Sequence, residues 1–345
     1  MSRRFLPLAA LLFFWLSPTG AEAGDLRFSR AQLEAKWRSR IESLLGQGRV
    51  PLIDLQSSIK REDGARHLDD ALSVMDKLVI ALIAFEGSED KENRKDSRYD
   101  WGYYVHEIVN RYPDRFILAS NGGNNRNWAG QLDGFIRQTE RQVRGGNYAI
   151  MGEFEFLHYM SGRQCDRGQT HRQVDIALDS PNGHRLFRLG AETGTPFLIH
   201  TEMEDRILGV LERMLSRYPR ARVIKAHFSR PHFAKKASRF GPALARRLLS
   251  TYPNLYFDLS VNSPGGSIKC GQPVRALLWK DGGGPRDGTV KLAYRKLLGE
   301  FSTRFVAGFD YGGGRKPLAK FLKKRARNIR LILRDLPKKA QHDIG

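Results

Sequence analysis

The sequence predicts an α/β fold of the (β/α)8 type: a parallel sheet closed into a TIM-like barrel by outer helices, with one extra helix in front. Three observations predict it. Eight short apolar runs alternate with amphipathic stretches, the pattern of strand–helix units. No glycine-rich dinucleotide turn follows the first run, which argues against an open doubly wound sheet. The chain of 345 residues shows no internal repeat and no Pro/Ser-rich linker, so it suits one large domain.

Residues 1–23 read as an export signal. Arg3 and Arg4 give a positive start, Phe5 to Leu16 is an apolar run too short to span a bilayer, and Ala21-Glu22-Ala23 is a small-x-small cleavage site. Residues 24–345 are then the mature barrel domain, exported to a periplasmic or extracellular space. No later run is long enough to cross a membrane. Ser29–Leu45 is the extra helix. The strand candidates are Leu52–Leu55, Leu78–Phe85, Phe116–Ser120, Tyr148–Phe156, Pro196–His200, Arg222–His227, Asn254–Leu259 and Arg304–Asp310. Helical patterns fall between them: Leu68–Lys77, Trp101–Arg111, Trp128–Arg144, Leu186–Glu192, Arg206–Arg217, Pro242–Ser250, Ala293–Phe301 and Leu318–Leu333.

The formal net charge is +21, with the densest basic cluster in Arg315–Lys339. Such a field either is a soluble, self-repelling surface, the preferred reading, or favours anionic partners, with small anionic substrates and a weak attraction to anionic envelope surfaces among them. No basic stripe is interleaved with aromatics, so no nucleic-acid partner is expected. Lys323–Arg330 reads as a solvated helix face. Only Cys165 and Cys270 are present, too few for a structural zinc cluster. A disulfide and two thiols are equally compatible with the sequence.

In barrels of this kind the chemistry sits at the carboxyl ends of the strands. The polar residues there are Glu153 and Glu155 on strand four, His200 on strand five, His227 on strand six and Asp310 on strand eight. Imidazoles and carboxylates converging on one mouth suit a divalent metal ion, zinc or similar. Glu153 and Glu155 share one face by the period of two. His158, His171 and His232 lie just past strands and read as loop histidines. Gly312–Lys316 follows strand eight. It is either a flexible turn or a cradle for an anionic group, with Arg315 or Lys316 as counter-charge.

These residues resemble the amidohydrolase superfamily, in its amidohydrolase-related, metal-dependent branch of hydrolases and decarboxylases. The resemblance runs from Pro51 to about Leu336. It is carried by Arg111-Tyr112-Pro113-Asp114-Arg115-Phe116, Gly194-Thr195-Pro196-Phe197-Leu198-Ile199-His200, Lys225-Ala226-His227, Pro253–Ser260 and Gly308-Phe309-Asp310-Tyr311, in that order. It implies metal or substrate roles for His200 and His227, a ligand and proton-acceptor role for Asp310, and the strand-four carboxylate role for Glu153. The departure is on strand one, where the family's Asp-x-His-x-His is replaced by Asp54-Leu55-Gln56-Ser57-Ser58. Gln56 offers one neutral oxygen and Ser58 is a poor ligand.

Three outcomes follow from that departure. Glu153, His200, His227 and Asp310 hold a metal, with Gln56 or Glu155 as a further ligand, and Gln56 is also a candidate substrate contact. Or His227 and Asp310 work as a metal-free acid–base pair. Or the barrel is inactive and binds a small ligand. The leading expectation is an exported hydrolase acting through metal-activated water on a small anionic carbonyl or ester-type substrate. An inactive ligand-binding barrel and a non-hydrolytic lyase or decarboxylase are the alternatives, so whether the chain is an enzyme stays open.

Overall fold

The computed structural model describes residues 26–59, 61–87, 104–123, 128, 132–228, 230–264, 276–312 and 317–345. The expected leader, residues 1–23, lies outside them, as do Cys270, Arg315 and Lys316. No helix among the described residues is long and apolar enough to cross a membrane.

Eight strand positions alternate with helices as expected. The strands are β1 (Leu52–Ile59), β2 (Ile80–Gly87), β3 (Phe116–Ser120), β4 (Ile150–His158), β5 (Phe197–Thr201), β6 (Val223–Lys225) and β7 (Leu255–Asp258). The eighth position is two short pieces, β8 (Phe305–Val306) and β9 (Tyr311–Gly312). Neighbours along this series pair in parallel, and β9 pairs back onto β1 through Ser57 with Tyr311 and Ser58 with Gly312, closing the barrel. Every residue of β3 and β5 is buried, as parallel strands covered on both faces must be. A two-residue strand, Val174–Asp175, adds an antiparallel turn onto β4.

Helices α1 (Arg30–Gly46), α2 (Arg61–Leu78), α3 (Tyr104–Arg111), α4 (Leu132–Arg144), α5 (Pro181–Thr193), α6 (Asp205–Arg217), α7 (Pro242–Thr251), α8 (Leu292–Glu300) and α9 (Leu318–Leu333) surround the sheet. Their ends are written in the sequence. Ser29 and Gln32 form a reciprocal capping box on α1. Ser180 caps α5, Pro181 opens it, and Gly194 ends it at φ 70°. Beneath them Phe228 packs its ring 5.0 Å from both Phe257 and Phe305.

Two expectations need correction, and one helix was not expected. The run Arg304–Asp310 is not one strand, because the buried Asp54 carboxylate takes the Phe309 N–H (2.8 Å) and pulls the chain out of ladder pairing. The sixth strand stops at Lys225, so His227 lies beyond it in the left-handed region (φ 58°) rather than within the ladder. A final helix, α10 (Lys338–Ile344), went unforeseen in a lysine-rich stretch. The residues at its end accept hydrogen bonds from Ala307 and Ile53, bridging the lower part of the seam between strands one and eight.

Candidate metal centre at the carboxyl end of the barrel

Three of the expected residues meet. Ligand atoms of Glu153, His200 and His227 all lie within 4.8 Å of one another. His200 Nδ1 is 2.8 Å and His227 Nε2 is 3.4 Å from the same oxygen, Glu153 Oε1. In a tetrahedral site with ligand bonds of ~2.0–2.1 Å the donors stand ~3.3 Å apart, and the two separations to Glu153 Oε1 bracket that value. Glu153 keeps 16% of its side-chain surface, so the group is not sealed by hydrocarbon.

The fit extends to the ring nitrogens. His227 Nδ1 donates to the Ser260 carbonyl (3.0 Å), which leaves Nε2 to face Glu153. His200 Nε2 faces Glu202 Oε1 at 3.5 Å, which leaves Nδ1 for the centre. Glu202 is itself fixed by the His232 backbone N–H at 2.9 Å. Each imidazole therefore has one nitrogen held by an outer partner and one turned inward.

Two further buried carboxylates shape the mouth without entering the group. Asp258 Oδ1 accepts from the backbone N–H of His227 (2.9 Å) and of Ser260 (2.9 Å). Asp54 Oδ1 accepts from the backbone N–H of Gln56 (3.0 Å) and of Phe309 (2.8 Å). His227 and Asp310 both hold φ near +60°. That conformation costs a non-glycine residue energy and persists where surrounding bonds over-determine it. Gly308 completes the arrangement: a Cβ there would lie 3.0 Å from Asp258.

The charges are strongly coupled. Burial opposes a charge on His200, but hydrogen bonds and attraction from Glu153 and Glu202 outweigh it and raise its pKa to about 9. Burial likewise opposes ionisation of Glu153, yet bonds from His200 and His227 hold its carboxyl well below the usual range. Burial and the adjacent Glu153 charge push Glu86, at the end of β2, well above it. Burial raises Asp54 to about 7 and lowers Lys225, hidden within β6, to about 8.

The other expected residues fall elsewhere. Asp310 is not in the three-residue group; its Oδ2 pairs with Arg325 at 3.3 Å. Gln56 Nε2 lies 3.4 Å from His227 Nε2, while its Oε1 accepts from Ser260 Oγ (2.6 Å). Ser58 Oγ bonds the Tyr311 carbonyl (3.3 Å). Glu155 pairs with Arg172, and His158 Nδ1 with the Arg172 carbonyl at 2.7 Å. His232, read as a loop histidine, is buried. Glu86, Glu202, Lys225, Asp258, Ser260 and Arg325 were missed. For the first five, only places at or just past strand ends, or two residues from a histidine, signalled them; nothing signalled Arg325, in the middle of α9.

A family model described as Amidohydrolase matches residues 166–281. No curated protein matches the chain in sequence. A provisionally assigned amidohydrolase from Staphylococcus aureus superposes with a TM-score of 0.50 at 13% identity, covering 85% of this chain and 96% of that one. A 2,6-dihydroxybenzoate decarboxylase from Rhizobium gives 0.47 at 11%, covering 86% and 96%. A probable 2-pyrone-4,6-dicarboxylic acid hydrolase from Acinetobacter baumannii gives 0.46 at 12%, covering 85% and 95%.

Proposed function

Starting from an amidohydrolase-superfamily barrel, we propose that this protein is an exported metal-dependent hydrolase of small anionic carbonyl or ester-type substrates. The observation that carries the reading is the convergence of Glu153, His200 and His227. Glu153 Oε1, His200 Nδ1 and His227 Nε2 would hold one divalent ion, zinc or similar. Such an ion supplies Lewis acidity, polarising a carbonyl oxygen and acidifying water.

The chain's own groups do the rest. Asp310 takes the proton of the attacking water and returns it to the leaving group. Arg325 keeps that carboxylate in place and has a buried Nε with no partner, which supports a carboxylate-bearing substrate. The Gln56 amide, fixed by Ser260, offers hydrogen bonds at the mouth. Glu202 and Ser260 hold the outer ring nitrogens. Arg315 and Lys316, which follow strand eight in the sequence and lie outside the described residues, would add counter-charge. Residues 1–23 would be removed on export, and Arg3, Arg4 and the short apolar run support that.

A second reading, a ligand-binding barrel without catalysis, is favoured by one feature: strand one contributes no ligand, its Gln56 Oε1 and Ser58 Oγ being committed to internal bonds. One assay separates the two. Residues 24–345, supplied with zinc or manganese, should hydrolyse at least one member of a panel of carboxylate-bearing esters, lactones and amides. Chelator should abolish turnover, and Asp310→Asn should slow it by ~10²-fold or more. Metal uptake with saturable ligand binding but no turnover would favour the second reading. Carbon dioxide release without hydrolysis would replace hydrolase by decarboxylase.

A further inference from the structure

A cavity of about 530 Å³ lies at the opposite end of the barrel, where Arg49 and Val50 lead into β1 and Lys77–Val79 join α2 to β2. Helix α9 forms its other wall with Lys323, Arg327 and Arg330. Five cations line it and no carboxylate does. Two other surface cavities differ: one sets Glu212 among its arginines, the other sets Asp76 and Asp114 among its basic residues.

The cations are held in place without being neutralised. Arg49 Nη2 donates to the Asp76 carbonyl (3.0 Å) and Arg330 Nη2 to the Leu78 carbonyl (3.2 Å), both at the end of α2. Those bonds use one donor of each five-donor guanidinium; the carbonyl end of α2 favours a cation there, but no carboxylate pairs with either arginine. The Asp76 carboxylate is taken by Arg40 and Arg115 instead. Among the described residues none of the five cations has a carboxylate partner. Burial and the neighbouring Arg49 charge lower the Arg330 pKa, as like charges confined together do. Five like charges around one cavity repel one another unless an anion enters. On α9, Lys323, Arg327 and Arg330 stand at spacings of four and three, so they share one face. This face is therefore a cavity wall and not only a solvated stripe.

We propose that this cavity is a binding site for a phosphate-bearing anion, separate from the carboxyl-end centre and independent of its chemistry. Three arginines with planar forks and two lysines suit a ligand with at least two phosphate charges. A cavity of this size takes a small molecule or a lipid headgroup. No aromatic residue lines it to stack a base, which argues against a single-stranded nucleic acid.

The test uses residues 24–345 and two probes: inorganic pyrophosphate, followed by calorimetry, and vesicles of phosphatidylglycerol in phosphatidylcholine, followed by sedimentation. The cavity variant Lys323→Gln/Arg327→Gln changes two exposed side chains. The control variant Arg220→Gln/Lys280→Gln removes the same charge from exposed sites elsewhere. The expected result is saturable binding of about one pyrophosphate per chain, weakened at least about tenfold in the cavity variant and less than about twofold in the control. Vesicle binding lost in the cavity variant alone, without pyrophosphate binding, assigns the phosphate to a lipid headgroup. Absence of both, or equal losses in the two variants, overturns the proposal. A thermal melt of each variant separates lost binding from lost folding.

Discussion

The two ends of this barrel treat charge in opposite ways. At the carboxyl end, ionisable groups are buried and matched: Glu153 between two histidines, Glu202 behind His200, Asp258 and Asp54 on backbone N–H groups. At the amino end, five cations line an open cavity with no carboxylate among them. Buried charge is tolerated only when paired and hydrogen-bonded, so the first arrangement demands precise geometry and fixes it. Charge in contact with water demands no partner, so the second stays free to take one. The contrast says where specificity should reside: in shape and orientation at the carboxyl end, in net charge at the amino end.

The sharpest way to break this comparison is to remove the central carboxylate. Glu153→Gln should cut divalent-metal affinity by ~10²-fold or more, measured by competition with a chromogenic chelator. An affinity within threefold of the parent would show that the group is only a salt bridge. Removing a backbone anchor comes next. Asp258→Ala should destabilise by about 2–3 kcal/mol in urea titration, because two buried N–H groups lose their acceptor. A loss under about 0.5 kcal/mol would contradict its role in holding the left-handed turn at His227.

A pH series sharpens the same end. His200 has a raised pKa, so its pairing stabilises the metal-free fold fully below its ordinary 6.5 and is lost as pH climbs through about 9. Glu153 is depressed, so its contribution holds above its ordinary 4.5 and is lost as pH falls through its low value. Asp54, raised by burial to about 7, favours its protonated form, so it too costs stability as pH rises toward 7. The metal-free melting temperature should therefore fall from pH 6 to about 8, above which Lys225, depressed to about 8 by burial, sheds its buried charge and offsets the loss. Metal affinity should rise over the same range with proton release, since the ligand imidazoles must be neutral. A pH-independent affinity would contradict the coupling. At the smallest scale, Ser58→Ala should cost about 1 kcal/mol or less and leave metal affinity within twofold, because its hydroxyl serves the Tyr311 carbonyl.

What the sequence made legible follows from the same physics. His200 and His227 stood out because two histidines close adjacent apolar runs while Asp310 closes the eighth, and Glu153 followed from alternation along strand four. The barrel itself was readable from eight apolar runs separated by amphipathic helices. Asp258 and Asp54 were not readable as anchors, because a carboxylate holding backbone N–H groups looks in sequence like any strand-end aspartate. The break at 307–310 was hidden for a related reason. Local pattern there favours a strand, and only Asp54, some 255 positions away in sequence, takes the Phe309 N–H. Lys323–Arg330 read as solvated because periodicity locates a face but not what stands opposite it. Arg49 and Lys77 supply the opposite wall.

Metal stoichiometry tests the central claim most directly. Residues 24–345, stripped with chelator and dialysed against zinc at pH 7.5, should take up about one equivalent per chain, and the Glu153→Gln protein less than about a tenth. A fully folded parent protein that takes up less than about a tenth of an equivalent would contradict a metal centre built by Glu153, His200 and His227.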